Sequence, residues 1–249
     1  MWRWTAVALL TLAGGGSAFA VSPLVTDDAD TVERGHLQLN LGWQFVRTDS
    51  VSLNAIPVNP VVGVAASGEL GASVGYGWRD GSGRVPRLAD ADGVTDLTLE
   101  TKWRLRQSGP ERLNVSLRLD VNLPTGSEDQ GLGTGRVDVA AVLIGTRTWG
   151  PTALDSNVGY TAVDAERAAL ADDVWFVGQA LRHQLTERWT AIGEAFGLLP
   201  NDGASFGGFF SAGAQLQATD SLLLSVLVGT AVGRGTPDAT VYVGFTWDS

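Results

Sequence analysis

Long stretches of alternating apolar and polar residues constrain this chain more than any other feature. The first runs from His36 to Arg47, where five apolar side chains occupy every second position. A period of two indicates a β-strand with one apolar and one polar face. A dozen residues is about twice the usual length of a strand in a soluble protein. The same pattern returns later in the chain, which predicts an all-β fold with unusually long strands.

Twelve such strands can be placed along the chain. They are predicted at residues 36–47, 55–64, 69–79, 95–106, 112–123, 136–147, 152–162, 173–183, 188–198, 207–217, 221–231 and 238–247. Pro57 and Pro60 interrupt the second strand, and Val142 and Ile144 place apolar side chains on the polar face of the sixth.

The connections between these strands alternate between short turns, such as 107–110, and longer segments rich in Gly, Asp and Pro, such as 80–94. Outer-membrane barrels have short periplasmic turns and longer outer loops. A soluble β-sandwich has no reason to keep that alternation. The predicted fold class is therefore an antiparallel transmembrane β-barrel of 12 strands, with apolar side chains facing lipid and polar side chains facing the lumen.

The first twenty residues predict export. Arg3 precedes a short apolar run, and small residues stand at Ala18 and Ala20. This order is typical of a secretory signal peptide, with cleavage expected after Ala20. The apolar run is too short to span a bilayer as a helix. The alternative to a signal peptide is a buried N-terminal helix. Residues 21–35 are expected to form a periplasmic N-terminal segment or plug, and residues 36–249 are expected to form the barrel.

Composition excludes several classes of function. The chain has no cysteine, which excludes disulfides, thiol catalysis and cysteine-ligated metals. Its formal net charge is −10, and it has no basic stripe, so no nucleic-acid partner is expected. No apolar run near 18 residues follows Ala20, which argues against membrane-spanning helices.

Tryptophans mark the ends of the predicted strands. An indole ring prefers the membrane interface, because it combines a large apolar body with one N–H donor. The residues predicted to form such aromatic girdles are Trp103, Trp149, Trp189 and Trp247 on the periplasmic side, and Trp78 and Trp175 on the outer side.

Charged residues on the polar faces are predicted to line the lumen. They are Glu69, Arg79, Glu100, Lys102, Arg104, Arg118, Asp120 and Glu194. A charge away from water costs several kcal/mol unless it is paired or hydrated. These groups therefore either pair across strands and fill a narrow barrel, or line a hydrated path. Strand number leaves both open, because 12 lies between the filled barrels of ~8 strands and the open channels of ~16.

Catalytic chemistry has little support in the sequence. Gly71–Gly75 matches the Gly-x-Ser-x-Gly pattern of nucleophile elbows, but it lies inside a predicted strand with no helix after it. The only histidines, His36 and His183, fall at strand ends. No catalytic residue, cofactor or metal site is predicted, and the protein is not expected to be an enzyme.

Several motifs, in order and spacing, resemble those of a known family. They are Thr26–Asp30 followed by Glu33–Leu37, then Asp96–Arg104, Leu123–Gly126, Gly131–Gly135 and Glu194. Over nearly the whole mature chain they resemble the outer-membrane transporter family labelled for the meta-cleavage pathway of phenol degradation. The resemblance implies a barrel that admits hydrophobic or aromatic compounds. One departure is that Asp248 and Ser249 follow the last aromatic residue, where outer-membrane strands usually end on the aromatic itself.

The expected function is passive passage of small hydrophobic or aromatic molecules through the outer membrane. A structural barrel with a filled lumen is the first alternative, and an outer-membrane lipid hydrolase is the second. The expected partners are outer-membrane lipid and lipopolysaccharide, the barrel-assembly machinery and a small-molecule cargo. The acidic outer loops are expected either to be solvated or to bind lipopolysaccharide through divalent cations.

Overall fold

The computed structural model describes residues 24–48, 51–81, 90–108, 111–163, 173–201, 207–233 and 237–249. The predicted signal peptide and its cleavage site lie outside the described residues, as do parts of several outer loops. None of the described residues belongs to a helix long and apolar enough to cross a membrane.

The described residues form thirteen strands. These are β1 (Leu37–Arg47), β2 (Val51–Ala65), β3 (Gly68–Gly81), β4 (Ala91–Val94), β5 (Leu97–Arg106), β6 (Leu113–Leu123), β7 (Asp138–Trp149), β8 (Thr152–Val163), β9 (Val174–Gln184), β10 (Trp189–Pro200), β11 (Gly207–Thr219), β12 (Leu222–Val232) and β13 (Ala239–Asp248).

The strands close into a single antiparallel barrel. Consecutive strands pair with each other except β4 and β5, and β1 pairs with β13 over ten residue pairs from Gln38–Asp248 to Arg47–Ala239. Both β4 and β5 pair with β3, so together they fill one position in the wall. The barrel therefore has 12 strands, which confirms the predicted fold class. Short turns join the strands at the end where β1 begins and β13 ends, which we call the periplasmic end.

Side-chain burial alternates along the wall as the sequence predicts. In β7, Val142, Ile144 and Thr146 are buried inside, whereas Val139 and Leu143 on the outer face are 47% and 52% exposed. Successive side chains of a strand point to opposite faces of the sheet. Apolar residues at every second position therefore cover the exterior of the barrel. The exterior is therefore an apolar band of the kind that faces hydrocarbon in outer-membrane barrels.

Strand β2 runs unbroken through both prolines and starts earlier than expected. Pro57 pairs with Gly75 of β3, and Pro60 pairs with Leu39 of β1. A proline cannot donate to the ladder, and the pairing with β3 skips Asn59 and Pro60. The Asn59 side chain compensates, because its Nδ2 donates to the Ala72 carbonyl oxygen at 3.2 Å.

The fourth wall position is interrupted at Thr95 and Asp96, between β4 and β5. The sequence predicts a strand from residue 95 and misses β4. The break is closed by a mutual contact, since Thr95 N donates to Gly75 O at 2.9 Å and Gly75 N donates to Thr95 Oγ1 at 2.9 Å. An outer loop, residues 124–137, folds back onto this break and buries Leu132 to 3% exposure.

Candidate functional site

The residues that precede β1 lie inside the barrel and cross its inner wall. We call residues 24–35 the lumen segment. Thr26 N donates to Glu194 Oε1 of β10 at 2.5 Å, and Ala29 N donates to Thr146 Oγ1 of β7 at 2.8 Å. Val32 N donates to Glu69 Oε2 of β3 at 2.5 Å. The segment therefore passes across successive strands, from β10 towards β3.

Wall side chains supply hydrogen bonds that regular secondary structure would otherwise give the lumen segment. Asn157 of β8 binds both sides of Asp27, accepting from its N–H at 2.8 Å and donating to its carbonyl oxygen at 2.8 Å. Ser116 of β6 donates to Ala29 O at 2.6 Å. Buried backbone polar groups need such partners, so these inward-facing side chains fix the path of the segment.

Two aspartates of the lumen segment pair with cations of the wall. Asp27 lies 3.3 Å from Lys102 Nζ and 3.1 Å from Arg118 Nη1, and Asp28 lies 3.5 Å from Arg182 Nη1. Burial acts to raise the pKa of Asp27, but Lys102 and Arg118 outweigh it and hold that pKa below its ordinary value. Asp27 is therefore a carboxylate at neutral pH.

Each of these cations also pairs with a carboxylate of the wall. Lys102 lies 3.2 Å from Glu69, Arg118 lies 3.2 Å from Asp120, and Arg182 lies 2.7 Å from Asp155. Asp120 and Asp155 are buried. Such buried charges require this pairing. Segment and wall thus form an ion-pair network of two groups, one around Asp27 and one around Asp28, which the hydrogen bond from Asp28 N to Asp27 Oδ1 at 2.8 Å connects.

Apolar contacts hold the lumen segment at two further points. Leu24 packs in a buried cluster with Ala180, Ile192, Leu227 and Tyr242. Ala29 packs against Val142 and Ile144, the two apolar residues that interrupt the polar face of β7. These two apolar side chains can point into the lumen because they contact the lumen segment rather than water.

The lumen segment lies directly against Gly63 of β2. A Cβ atom on Gly63 would lie 2.0 Å from the Glu33 carbonyl oxygen. Gly35 N donates to Gly63 O at 2.8 Å, and Arg34 bridges to Gly63. Only a residue without a side chain leaves room for the segment here.

A cavity of about 540 Å³ lies beside the lumen segment, and most of the strand residues that line it belong to β1, β2, β3 and β5. It extends from His36 and Asp248 at the periplasmic end to Thr95 and Asp96 at the strand break. Its size is that of a pocket for a small organic molecule.

A row of polar side chains crosses the wall of this cavity. Thr246 Oγ1 donates to Asn40 Oδ1 at 2.7 Å, and Asn40 Nδ2 donates to Asn59 Oδ1 at 3.0 Å. Asn59 Nδ2 in turn donates to Glu100 Oε1 at 2.6 Å. The row spans β13, β1, β2 and β5, and it gives this side of the cavity a hydrophilic surface.

The predicted lumen-lining residues fall into two groups. Glu69, Glu100, Lys102, Arg118 and Asp120 all line the cavity, and four of them belong to the ion-pair network. The others lie apart: Glu194 accepts bonds from Thr26 N and Ser211 Oγ, Arg104 binds Ala66 O in a periplasmic turn, and Arg79 lies against Gly131 at the outer end of β3.

The six predicted interface tryptophans lie in or next to the ends of strands. Five of them are between 39% and 47% exposed, and Trp78 is half-buried. Trp103 lies over Gly68, where a Cβ would be 2.6 Å from the indole ring.

Sequence reasoning misses several residues of the site. Asp155 and Arg182 occupy inward-facing positions of their strands, so the alternation of apolar and polar residues could have identified them. The sequence singles out Asp27 and Asp28 only as members of a family motif, because nothing in a coil segment indicates which strands it will contact. Asp96 likewise enters only within a motif.

Asp96 anchors the outer loop 124–137 at the strand break. Its carboxylate accepts hydrogen bonds from Gly126 N at 2.9 Å, Thr134 N at 2.7 Å and Asn122 Nδ2 at 3.0 Å. The two motifs of the loop, Leu123–Gly126 and Gly131–Gly135, thus meet at one carboxylate.

The residues considered for catalysis or metal binding do not assemble. Gly71–Gly75 lies within β3, so the strained strand-to-helix turn of a nucleophile elbow is not formed. His36 contacts the Ser249 carbonyl oxygen, and His183 contacts Thr152. In the part of the chain that the structure describes, no three His, Asp or Glu residues are grouped to hold a metal ion.

A closed 12-stranded barrel with an apolar exterior and a polar, partly filled interior defines an outer-membrane β-barrel protein. Residues 20–248 match the family described as "Putative MetA-pathway of phenol degradation", and the chain belongs to this family. This confirms the resemblance found in the motifs. No curated protein sequence matches the chain.

Solved structures of similar fold are outer-membrane channels. One from Pseudomonas putida F1 has a TM-score of 0.74 at 16% identity, covering 90% of this chain and 99% of that one. The KdgM porin has a TM-score of 0.58 at 7% identity, covering 83% and 97%. The CymD monoaromatic hydrocarbon channel has a TM-score of 0.51 at 8% identity, covering 100% and 98%. At these identities the likeness establishes the fold.

Proposed function

We propose that this protein is an outer-membrane channel for passive passage of small hydrophobic or aromatic molecules. The observation that carries the proposal is the 540 Å³ cavity, which runs from the periplasmic end along the wall that the lumen segment leaves uncovered. The family's association with phenol degradation and the likeness in fold to the CymD monoaromatic hydrocarbon channel support an aromatic cargo.

The route that we propose follows β1, β2 and β3. The lumen segment crosses the opposite wall, where it is hydrogen-bonded to β6, β7, β8 and β10. The row from Thr246 to Glu100 offers hydrogen-bond partners to a polar substituent, and Ala55, Pro57 and Val61 of β2 offer an apolar surface beside it. A molecule with one ring and one hydroxyl group fits this combination of surfaces.

Several further assignments belong to the same proposal. Signal-peptide cleavage after Ala20 leaves residues 21–35 to act as a plug, which the contacts of the lumen segment support. The six tryptophans form the interface girdles, lipid and lipopolysaccharide surround the barrel, and the barrel-assembly machinery inserts it. No enzymatic step is proposed.

Planar-bilayer recording of the mature protein, residues 21–249, tests this function. We expect small, stable conductance steps from the intact protein. Replacing residues 24–33 with a Gly/Ser sequence of equal length should enlarge the steps several-fold, because it empties the covered half of the lumen. If both proteins insert and remain silent, the channel proposal is wrong.

The cargo is tested in the same recording. A neutral aromatic alcohol such as phenol, added to one chamber, should interrupt the current briefly while it occupies the path. A linear alcohol of similar size and solubility is the control. Equal effects of both compounds, or none, would contradict an aromatic preference.

A structural barrel with a filled lumen is the second candidate, and the ion-pair network between segment and wall favours it. The two candidates differ in one result. A structural barrel is silent when intact and conducts only after the lumen segment has been replaced.

A further inference from the structure

The side chains that line the cavity are strongly unbalanced in charge. Among the residues that the structure describes, three cationic side chains and one histidine line it, namely Lys102, Arg118, Arg182 and His36. In the same part of the chain nine carboxylates line it, namely Asp27, Asp28, Asp30, Glu33, Glu69, Asp96, Glu100, Asp120 and Asp248. Four of the nine belong to the lumen segment, so the segment supplies nearly half of the negative charge.

The cationic side chains are neutralised within the ion-pair network. Lys102, Arg118 and Arg182 each contact one aspartate of the lumen segment and one carboxylate of the wall. A charge that is paired on both sides contributes little field to the space beside it. An anion in the cavity therefore finds no cation free of carboxylate partners among the three that line it.

Among the described residues, five of the nine carboxylates take no part in this pairing. Two of these, Asp96 and Asp248, accept hydrogen bonds from neutral donors instead, which leaves three. Within the described ranges, Asp30, Glu33 and Glu100 form no ion pair. Asp30 and Glu33 are exposed on the lumen segment. Glu100 is on the wall, where Asn59 holds its Oε1 at 2.6 Å. Both sides of the cavity thus present carboxylates that form no ion pair.

We propose that the path selects by charge, admitting cations and neutral aromatic molecules and rejecting organic anions such as aromatic carboxylates. Asp30 and Glu33 of the lumen segment, with Glu100 of the wall, are the residues that determine this specificity. The inference rests on the proposed channel function. The physical reason is that a narrow cleft lined by one sign of charge, between walls of low dielectric constant, concentrates ions of the opposite sign.

The reversal potential of the intact mature protein under a KCl gradient measures this selectivity. We expect potassium to be more permeant than chloride. The double variant D30N/E33Q should lower the permeability ratio by roughly threefold or more, since local ion concentration depends steeply on the charge of the cleft. Neither carboxylate forms an ion pair in the described structure, so the lumen segment should remain docked.

A matched control makes the same change of charge outside the lumen. Glu187 and Asp220 lie exposed in two periplasmic turns and do not line the cavity. The E187Q/D220N variant should keep the permeability ratio of the unmodified protein. An equal fall in this control would show that surface charge, rather than the cavity, sets the selectivity.

Organic ions of equal ring size test the cargo class directly. In the intact protein, benzylammonium should be more permeant than benzoate, and D30N/E33Q should narrow the difference. Conductance with no cation preference, or with a preference for benzoate, would contradict the proposed charge selectivity but not the proposed channel function. A protein that inserts but never conducts would overturn the channel itself, and the charge selection with it.

Discussion

At the scale of single residues, the contact between Gly63 and the lumen segment depends on the absence of a side chain. The Glu33 carbonyl oxygen occupies the place that a Cβ of Gly63 would take. The carbonyl oxygen is a backbone atom and the position of a Cβ is fixed by the backbone, so neither can rotate away as the end of a flexible side chain would. Position 63 therefore couples the wall of β2 to the placement of the segment.

A Gly63→Ala substitution should displace the lumen segment. Relieving overpacking of this kind typically costs about 1–3 kcal/mol, and we expect larger conductance steps together with a lower unfolding temperature. The control is Gly193→Ala in β10, where a Cβ meets no atom within 4 Å. Similar behaviour of the two variants would mean that the segment does not depend on this contact.

A second prediction concerns Asp27 and pH. Because Lys102 and Arg118 hold its pKa below the ordinary value, its ion pairs persist above the ordinary pKa and are lost only as pH falls through the lowered one. A spin label on Thr31→Cys, in a chain with no other cysteine, should stay immobile from pH 7 down to about 5.

The D27N variant supplies the comparison for the same label. It removes the charge that Lys102 and Arg118 share, so the label should become mobile already at neutral pH. A label that loosens near pH 6 in the unmodified segment would contradict the ion-pair account.

At the scale of elements, the break between β4 and β5 determines where the outer loop 124–137 folds. A continuous strand would use the backbone groups of Thr95 and Asp96 in the ladder. The break instead turns the Asp96 carboxylate towards the N–H groups of Gly126 and Thr134. One carboxylate thus replaces several ladder contacts and fixes the loop over the wall.

We expect Asp96→Ala to release this loop. The N–H groups of Gly126 and Thr134 would lose their acceptor, at a cost of about 1–3 kcal/mol for each buried group. Trypsin should then cleave after Arg136 in the folded barrel. Asp129→Ala changes an exposed carboxylate in the same loop and should leave cleavage slow. Resistance of both variants would show that Asp96 does not hold the loop.

At the scale of the whole molecule, alternation predicted the barrel almost completely. The strand period and the alternating connection lengths each follow from local sequence, because a lipid-facing wall imposes polarity on every second residue. The predicted strand bounds agree with the structure within a few residues. The exceptions are the start of β2, which lies at Val51 rather than at residue 55, and all of β4, which is only four residues long.

Alternation did not predict which residues contact each other inside the lumen. Alternation predicts that the side chains of Lys102 and Arg118 lie on the same face as those of Glu69 and Asp120, but it could not pair them with Asp27. That pairing joins residues 75 and 91 positions apart, and it depends on how a coil segment crosses strands that it does not follow in sequence.

The sequence by itself determined that this protein is a twelve-stranded outer-membrane barrel, because inward and outward positions are set residue by residue along each strand. Only the tertiary structure decided which side of the lumen the segment covers and which carboxylates remain unpaired beside the cavity. These depend on closure of the sheet, which brings β1 beside β13 and directs all inward side chains into one shared space.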